Sequence, residues 1–262
     1  MAKKDALKEI VAKKKARIAL SKEQVSEEEL KERAGASAPC RPFKESISKP
    51  RQISLIAEIK RSSPSRGLIR EEFDLAHIAG IYRDAGVQAV SVLTEEDFFS
   101  GNPSYINEVK NICPAPVLRK DFILESYQVY ESRCLGADAV LLIADLLSKD
   151  KLAEMTGVAD SLGMDYIVEV HDEKELKKAV GLKVPVIGIN NRNLHTLEVD
   201  FKTTERLFTL IPRDKITVVE SGIKSYQDVL FLKILGASGV LIGTVFMEAE
   251  DIKNKIEDVM GW

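Results

Sequence analysis

Three stretches of this chain repeat almost the same pattern of apolar and polar positions: AGVQAVSVL at 85–93, LGADAVLLI at 135–143 and LGASGVLIG at 235–243. In each, a glycine ends a helical pattern and a short β-rich run begins within about four residues. Gly86, Gly136 and Gly236 are spaced by multiples of fifty, the rhythm of a regularly repeating strand-helix chain. Between the runs lie segments with one apolar helical face, such as Leu75, Ile78, Ala79 and Tyr82, or Leu152, Met155, Ala159 and Leu162. Ser126 and Ser225 stand where helix caps are expected. The strand candidates are ISLIAEI, AVSVL, PVLRK, AVLLIA, YIVEV, VIGIN, TVVES and GVLIG. About eight strands, all alternating with helices, predict an α/β fold closed as a single (β/α)8 TIM barrel. An open doubly wound sheet is the alternative that periodicity alone leaves standing.

The first ~45 residues stand outside this rhythm. Leu7, Ile10 and Val11 have helical spacing, and an acidic SEEELKER and a connector, APCRPF, follow. Residues 1–47 are therefore expected to form a helical N-terminal extension packed on a barrel of residues 48–262, with a disordered tail as the alternative for the very start. The lysine-rich opening has no apolar h-region and no small-residue cleavage site, so it reads as a solvated helix rather than a targeting segment.

Composition narrows the function. A formal net charge of −3 over 262 residues lacks the basic footprint that a general nucleic-acid binder needs. Runs such as AVLLIA are too short to span a bilayer. Cys40, Cys113 and Cys134 are odd in number and form no CxxC pair, which suggests free thiols packed in a protein of a reducing compartment, the cytoplasm. His77, His171 and His195 fall on different elements without metal-ligand spacing, and no GxGxxG or GxxxxGK[ST] occurs, so no metal and no nucleotide cofactor is expected.

In such a barrel the chemistry sits at the carboxyl ends of the strands. Those ends carry Glu58 and Lys60; Lys120 and Asp121; Glu169; Asn190 and Arg192; and Glu220 and Ser221. Glu58 and Lys60, two apart on a strand, project to the same face. Any one charge here could be a structural ion pair. Five strand ends together instead describe a mouth lined with carboxylates and ammonium groups, where burial shifts pKa values in the direction acid-base work requires. ESGI at 220–223 and LIGT at 241–244 each place a glycine and a hydroxyl residue just past the last two strands, the usual position of a phosphate cradle. Phe98, Phe99 and Phe122 are packing residues by default, with an aromatic substrate wall as the alternative.

With these residues in view, the chain resembles the indole-3-glycerol phosphate synthase family. IAEIKRSSPSRG, SVLTEEDFFSG, VLRKDFI, GADAVLLI, VEVHDEKEL, IGINNRNLHTLEVD, ESGI and GVLIGT match its blocks in order over residues 43–250. The resemblance implies a (β/α)8 barrel with a helical extension over the mouth, working without metal or cofactor in tryptophan biosynthesis. Its implied substrate is 1-(2-carboxyphenylamino)-1-deoxyribulose 5-phosphate, closed to indole-3-glycerol phosphate with loss of carbon dioxide and water. By the same resemblance Lys120 is the acid for ring closure, Glu169 acts at the dehydration step, and Glu58 and Lys60 share proton transfer and contact with the substrate's anionic end. Asn190 and Ser221 join this catalytic set. Arg192 orients the site, Phe99, Phe122 and Leu141 wall the anthranilate ring, and Ser63, Ser221, Gly222, Gly243 and Thr244 hold the phosphate; Glu220 is expected, with Arg192, among the substrate-binding residues. The TVFM after Gly243 departs from the family's usual Ser or Glu followed by LM, while keeping a hydroxyl. The only partner expected is a small phosphorylated substrate, with no nucleic acid and no membrane, and the chain is expected to act as a monomer or at most a weak dimer. The rivals are another phosphosugar barrel, such as phosphoribosylanthranilate isomerase, whose Cys/Asp pair has no counterpart at a strand end here, and a catalytically silent barrel.

Overall fold

A computed structural model describes residues 5–262; the start of the extension, with the alternative of a disordered tail there, lies outside the described residues. Among the described residues eight strands form the barrel: β1 (Ser54–Ile59), β2 (Ala89–Leu93), β3 (Val117–Lys120), β4 (Ala139–Ile143), β5 (Asp165–Val170), β6 (Val186–Asn190), β7 (Ile216–Glu220) and β8 (Gly239–Ile242). Each pairs in parallel with the next, and β8 returns to β1 through Ser54–Gly239 to Ala57–Ile242. That last pairing separates a closed barrel from an open doubly wound sheet.

Three helices precede β1: α1 (Ala6–Gln24), α2 (Glu27–Gly35) and α3 (Phe43–Ser46). The barrel helices are α4 (Leu75–Asp84), α5 (Tyr105–Ile112), α6 (Ser126–Cys134), α7 (Lys149–Ser161), α8 (Glu173–Gly181), α9 (Lys202–Phe208) and α10 (Tyr226–Leu235), with α11 (Thr244–Met247) and α12 (Ile252–Met260) after β8. The three repeated glycines end helices with φ of +67°, +91° and +106° at Gly86, Gly136 and Gly236, a region that disfavours any Cβ. Ser225 caps α10 through a capping box with Asp228. Ser126 departs from its predicted role: it is the first helical residue after Glu125, and its hydroxyl bonds Glu154 instead of a backbone N–H.

Alternation along the strands sorts the apolar residues into two layers. Leu55, Ala57, Val90, Val92, Val140, Leu142, Val168 and Ile187 face the helices and join the larger core, while Ile56, Ala89, Leu118, Ala139, Leu141, Ile167, Val186, Val218 and Leu241 fill the barrel. Both faces are buried, which is why the strands read as near-continuous apolar runs.

The extension touches both ends of this filled barrel. Phe43 and Ile47, wholly buried, join the interior cluster, and the Lys44 N–H donates to Asp165 Oδ2 at 2.8 Å at the start of β5. At the opposite end, Leu7 and Ile10 of α1 pack in that cluster with Phe122, and Lys14 reaches Asp121 Oδ1 at 2.6 Å. Between them, Ile18 and Leu30 pack on Leu124 and Tyr127. The pair Lys14–Asp121 is buried on both sides, with side chains 6% and 0% exposed. A buried pair of this kind is costly to break by removing one member, about 3–5 kcal/mol.

Candidate active site

The carboxyl ends of the strands surround a cavity of about 790 Å³. Two residues along the strands from the interior positions Ile56, Leu118, Ile167 and Val218 stand Glu58, Lys120, Glu169 and Glu220, and Asn190 closes β6; Leu141 and Leu241 of the interior layer also reach the cavity. Every site residue predicted from sequence lines this cavity except Ser63. Ser63 sits in a two-residue hairpin strand paired with Gly67–Leu68 and faces an adjoining cavity of about 60 Å³; Ser65 and Arg66 from that hairpin line the main one.

Charge gathers at the floor of the cavity, from alternate strands around the ring. Lys120 Nζ lies 2.6 Å from Glu220 Oε2 and 3.2 Å from Glu169 Oε2, and Lys60 Nζ lies 2.5 Å from Glu58 Oε1. Glu169 and Glu220 are each 1% exposed. Burial works against the Lys120 charge, but Glu220, Glu169 and Glu58 outweigh it and hold the ammonium above its ordinary range. The two carboxylates diverge. Burial, reinforced by the charges of Glu169 and Glu58, pushes Glu220 up to about 7 against the pull of Lys120. For Glu169 burial is outweighed by Lys120, His171 and Asn190, and the group stays below the usual carboxylate range. One cation thus sits between a firm carboxylate and one that exchanges its proton near neutrality, an arrangement suited to acid-base work.

Two glycines make room for these side chains. A Cβ on Gly243 would collide with Glu58, standing 2.8 Å from its Cβ and 2.9 Å from its Cδ, and a Cβ on Gly188 in β6 would stand 2.7 Å from Glu220 Oε1. The backbone at the cradle is unusual as well: Ser221 and Gly222 have φ of +65° and +87°. Asn191 secures the turn by donating to the Ser221 carbonyl at 3.0 Å while its Oδ1 accepts from the Thr204 N–H and hydroxyl. Asn190 Oδ1 accepts the Arg192 N–H at 2.9 Å, and the Arg192 guanidinium donates to the Leu197 carbonyl at 2.9 Å. Phe99 and Phe122 meet with ring centroids 6.0 Å apart, and Leu141 and Leu194 continue the apolar wall. Among the described residues no three His, Cys, Asp or Glu side chains are grouped to hold a metal ion.

Asp121, grouped with Lys120 in the sequence, has a different job. Its carboxylate takes Lys14, Arg119 at 3.1 Å, the Thr94 hydroxyl at 2.6 Å and the Phe122 N–H at 2.7 Å. It anchors the strand end, and none of these partners is left over for a substrate.

The sequence profile described as Indole-3-glycerol phosphate synthase matches residues 7–259. The chain belongs to the indole-3-glycerol phosphate synthase family. The proteins of that name from Acetivibrio thermocellus and Neisseria meningitidis are 46% and 44% identical, each over 96% of this chain and 98% of its own length. The one from Caldanaerobacter subterraneus is 53% identical over 84% of this chain and 86% of its own. Solved structures add the fold: a chain of the Pyrococcus furiosus tryptophan synthase complex superposes with a TM-score of 0.59 at 16% identity, covering 80% of this chain and 98% of its own. The 3-hexulose-6-phosphate synthase of Salmonella typhimurium does so at 0.62 and 15%, covering 80% and 97%. Indole-3-glycerol phosphate synthases are decarboxylating lyases of tryptophan biosynthesis.

Several residues at this site escaped the sequence reading: Lys14, His171, Asn191, Leu194, Ser65 and Arg66. Two carried a usable signal. Lys14 continues the stripe Leu7, Ile10, Lys14, Ile18, all buried on α1, so a lysine stands at an apolar position of the helix. His171 lies two residues beyond Glu169, on the same side by strand alternation.

Proposed function

We propose that this mouth converts 1-(2-carboxyphenylamino)-1-deoxyribulose 5-phosphate to indole-3-glycerol phosphate by general acid-base catalysis. The observation that carries the reading is Lys120, a charged ammonium held by Glu169 and Glu220 at the floor of a cavity that Phe99, Phe122 and Leu141 help to line. Lys120 donates a proton to the ketone oxygen as the aromatic carbon attacks, and the new carbon–carbon bond forms. Carbon dioxide then leaves, the hydroxyl departs as water with a proton from the Lys60–Glu58 pair, and Glu169 accepts the ring proton as aromaticity returns. Asn190 and Arg192 orient the substrate, while Phe99, Phe122 and Leu141 enclose its ring.

At the phosphate end, Ser221 and Thr244 offer hydroxyls and Gly222 and Gly243 offer close backbone approach; Ser63 joins them from the adjoining cavity, which Thr244 also lines. We read residues 1–47 as an extension serving the barrel of 48–262. The site is assembled within one chain, which supports action as a monomer. No helix among the described residues is long and apolar enough to cross a membrane, and a cytoplasmic location is part of the same proposal.

The test is to supply the purified protein with the carboxyphenylamino deoxyribulose phosphate in chelator-treated buffer and follow indole fluorescence. Product formation is expected. Binding without product would point to a silent barrel, and no binding would overturn the substrate assignment.

A further inference from the structure

On the side of Glu169 away from Lys120 lies a chain of buried groups that the reaction scheme above does not use. His171 follows β5 directly, and its imidazole is wedged between two carboxylates. Nε2 stands 3.1 Å from Glu169 Oε1, and Nδ1 stands 3.0 Å from Glu175 Oε2. Glu175, in the first turn of α8, is fixed in turn: the same Oε2 accepts the His171 backbone N–H at 2.8 Å, and the Glu175 N–H donates to Asp172 Oδ1 at 2.8 Å. The three side chains are 2%, 14% and 10% exposed in the order Glu169, His171, Glu175.

The number of protons in this wedge is constrained. A neutral imidazole carries one N–H and one lone pair. Whichever nitrogen bore the lone pair would face a carboxylate oxygen at 3.0 or 3.1 Å, two acceptors in contact with nothing between them. Glu169 Oε1 and His171 Nε2 are both shut off from solvent and neither has a hydrogen-bond partner, so their 3.1 Å contact is an ion-pair contact rather than an aligned hydrogen bond. An imidazolium removes the conflict: it donates to Glu175 through Nδ1 and sets a positively charged N–H against Glu169 at Nε2.

The charged groups around the ring agree with this count. Glu169 from β5 and Glu175 from α8 face it directly. Lys120 from β3 reaches the other oxygen of Glu169, and Lys178 of α8 is committed to the Ala144 and Leu147 carbonyls at 2.6 Å. Burial disfavours the cation, but the two carboxylates outweigh it and push His171 up to about 10.

We propose that His171 is a positioning residue for the reaction: as an imidazolium clamped between Glu175 and Glu169, it keeps Glu169 ionised and turns Oε2 of that carboxylate onto Lys120. The two carboxylates on Lys120 are thereby made unequal. Glu169 has a second cation behind it, whereas Oε1 of Glu220 is buried without a partner. Glu169 is then the fixed negative charge of the mouth, ready to accept a proton, and Glu220 is the carboxylate that exchanges one with Lys120.

This inference rests on the proposed reaction for its kinetic consequence, and the test separates the two. In the unmodified protein labelled with ¹⁵N-histidine, both ring nitrogens of His171 are expected to stay protonated from about pH 6 to about pH 9, well past the ordinary imidazole range. A neutral ring at about pH 7.5 overturns the clamp whatever the enzyme does. His171→Asn is expected to lower kcat about 10²-fold, the scale of a misplaced reacting group, with KM little changed. It should also move the acid limb of the kcat profile to higher pH, because Glu169 without its cation takes up a proton more readily. Wild-type kcat with an unmoved acid limb overturns the positioning role. Glu175→Gln, which leaves the imidazole in place, should give a smaller shift in the same direction and serves if His171→Asn does not fold; an unmoved limb in that variant counts against the proposal equally. Unmodified protein that forms no indole product sinks the reaction, while the nitrogen spectra still decide the clamp.

Discussion

Both ends of the barrel hold buried charges, and they treat them differently. At the amino ends of the strands, Asp138 Oδ1 receives Lys110 Nζ at 2.6 Å and the Arg41 N–H at 2.7 Å, while Oδ2 receives the Val117 N–H at 2.8 Å. The Arg41 guanidinium is spent on the carbonyls of Cys113, Ala115 and Lys110. Both oxygens of Asp138 are met by donors within the fold. At the carboxyl ends, one ammonium is divided between two carboxylates and Glu220 Oε1 has no partner. A completed buried network fixes a structure, whereas an incomplete one keeps an electrostatic cost that a substrate or a proton can relieve.

The largest effects should break this comparison cleanly. Lys120→Met is expected to reduce kcat roughly 10²- to 10⁴-fold, the scale of a positioned acid, with the fold retained because one of the two freed carboxylates can take a proton. Asp138→Ala should do the reverse. It leaves the Arg41 and Val117 N–H groups without their acceptor and Lys110 with only the Gly136 carbonyl, at a cost of about 3–5 kcal/mol in a urea melt, with kcat per folded molecule unchanged. If Asp138→Ala depressed turnover as strongly as Lys120→Met, the two ends would not be doing separate jobs.

The same contrast explains what could be read from the sequence. Eight apolar runs, each closed by a polar residue, favoured the barrel over an open sheet and picked out the charged strand ends, because alternation and the position of strand ends are local properties, whereas closure is the long-range pairing of β8 with β1. Glu58 and Lys60 illustrate the gain: they do form an ion pair, and that pair lines the cavity. Partnership is not local. Lys120 and Asp121 are neighbours in the chain and both border the cavity, yet the carboxylate of Asp121 is consumed by Lys14, Arg119 and Thr94. Lys14 sits within the cationic KKKAR run and looks solvated until α1 is laid across the mouth. His171 looked like a stray histidine until α8 brought Glu175 to its other side. Ser126 was expected to cap a helix, but the chain turns one residue earlier.

A pH experiment sharpens the comparison within the mouth itself. Glu220 has a folded pKa raised to about 7, so between its ordinary value and about 7 the native state binds more protons than the unfolded chain. Its contribution to stability is fully present below the ordinary carboxylate range and is lost as pH rises to about 7. The loss is at most about 3 kcal/mol, from the energy of each pKa unit. Glu169, shifted the other way, acts in a lower window and gains stability as pH rises. Urea melts of wild type and Glu220→Gln should therefore converge or cross as pH rises from about 4.5 to about 7, with the wild type losing ground. Parallel curves would mean that Glu220 is ionised throughout this range.

The smallest effect concerns a contact that looks strong by distance alone. Arg17, three residues beyond Lys14 on α1, pairs with Asp97 at 2.6 Å and with Glu96 at 2.7 Å. Its side chain is 39% exposed, against 6% for Lys14. Water and salt compete for the exposed guanidinium, and ordering the long side chain costs entropy, so such pairs are worth about 0.2–1 kcal/mol. Arg17→Ala should therefore shift a urea melt by no more than this, and less in high salt because the exposed charges are screened. A shift comparable to that of Asp138→Ala, unaffected by salt, would mean that the short contacts of α1 with the mouth act as a buried network, and that completeness rather than exposure sets their strength.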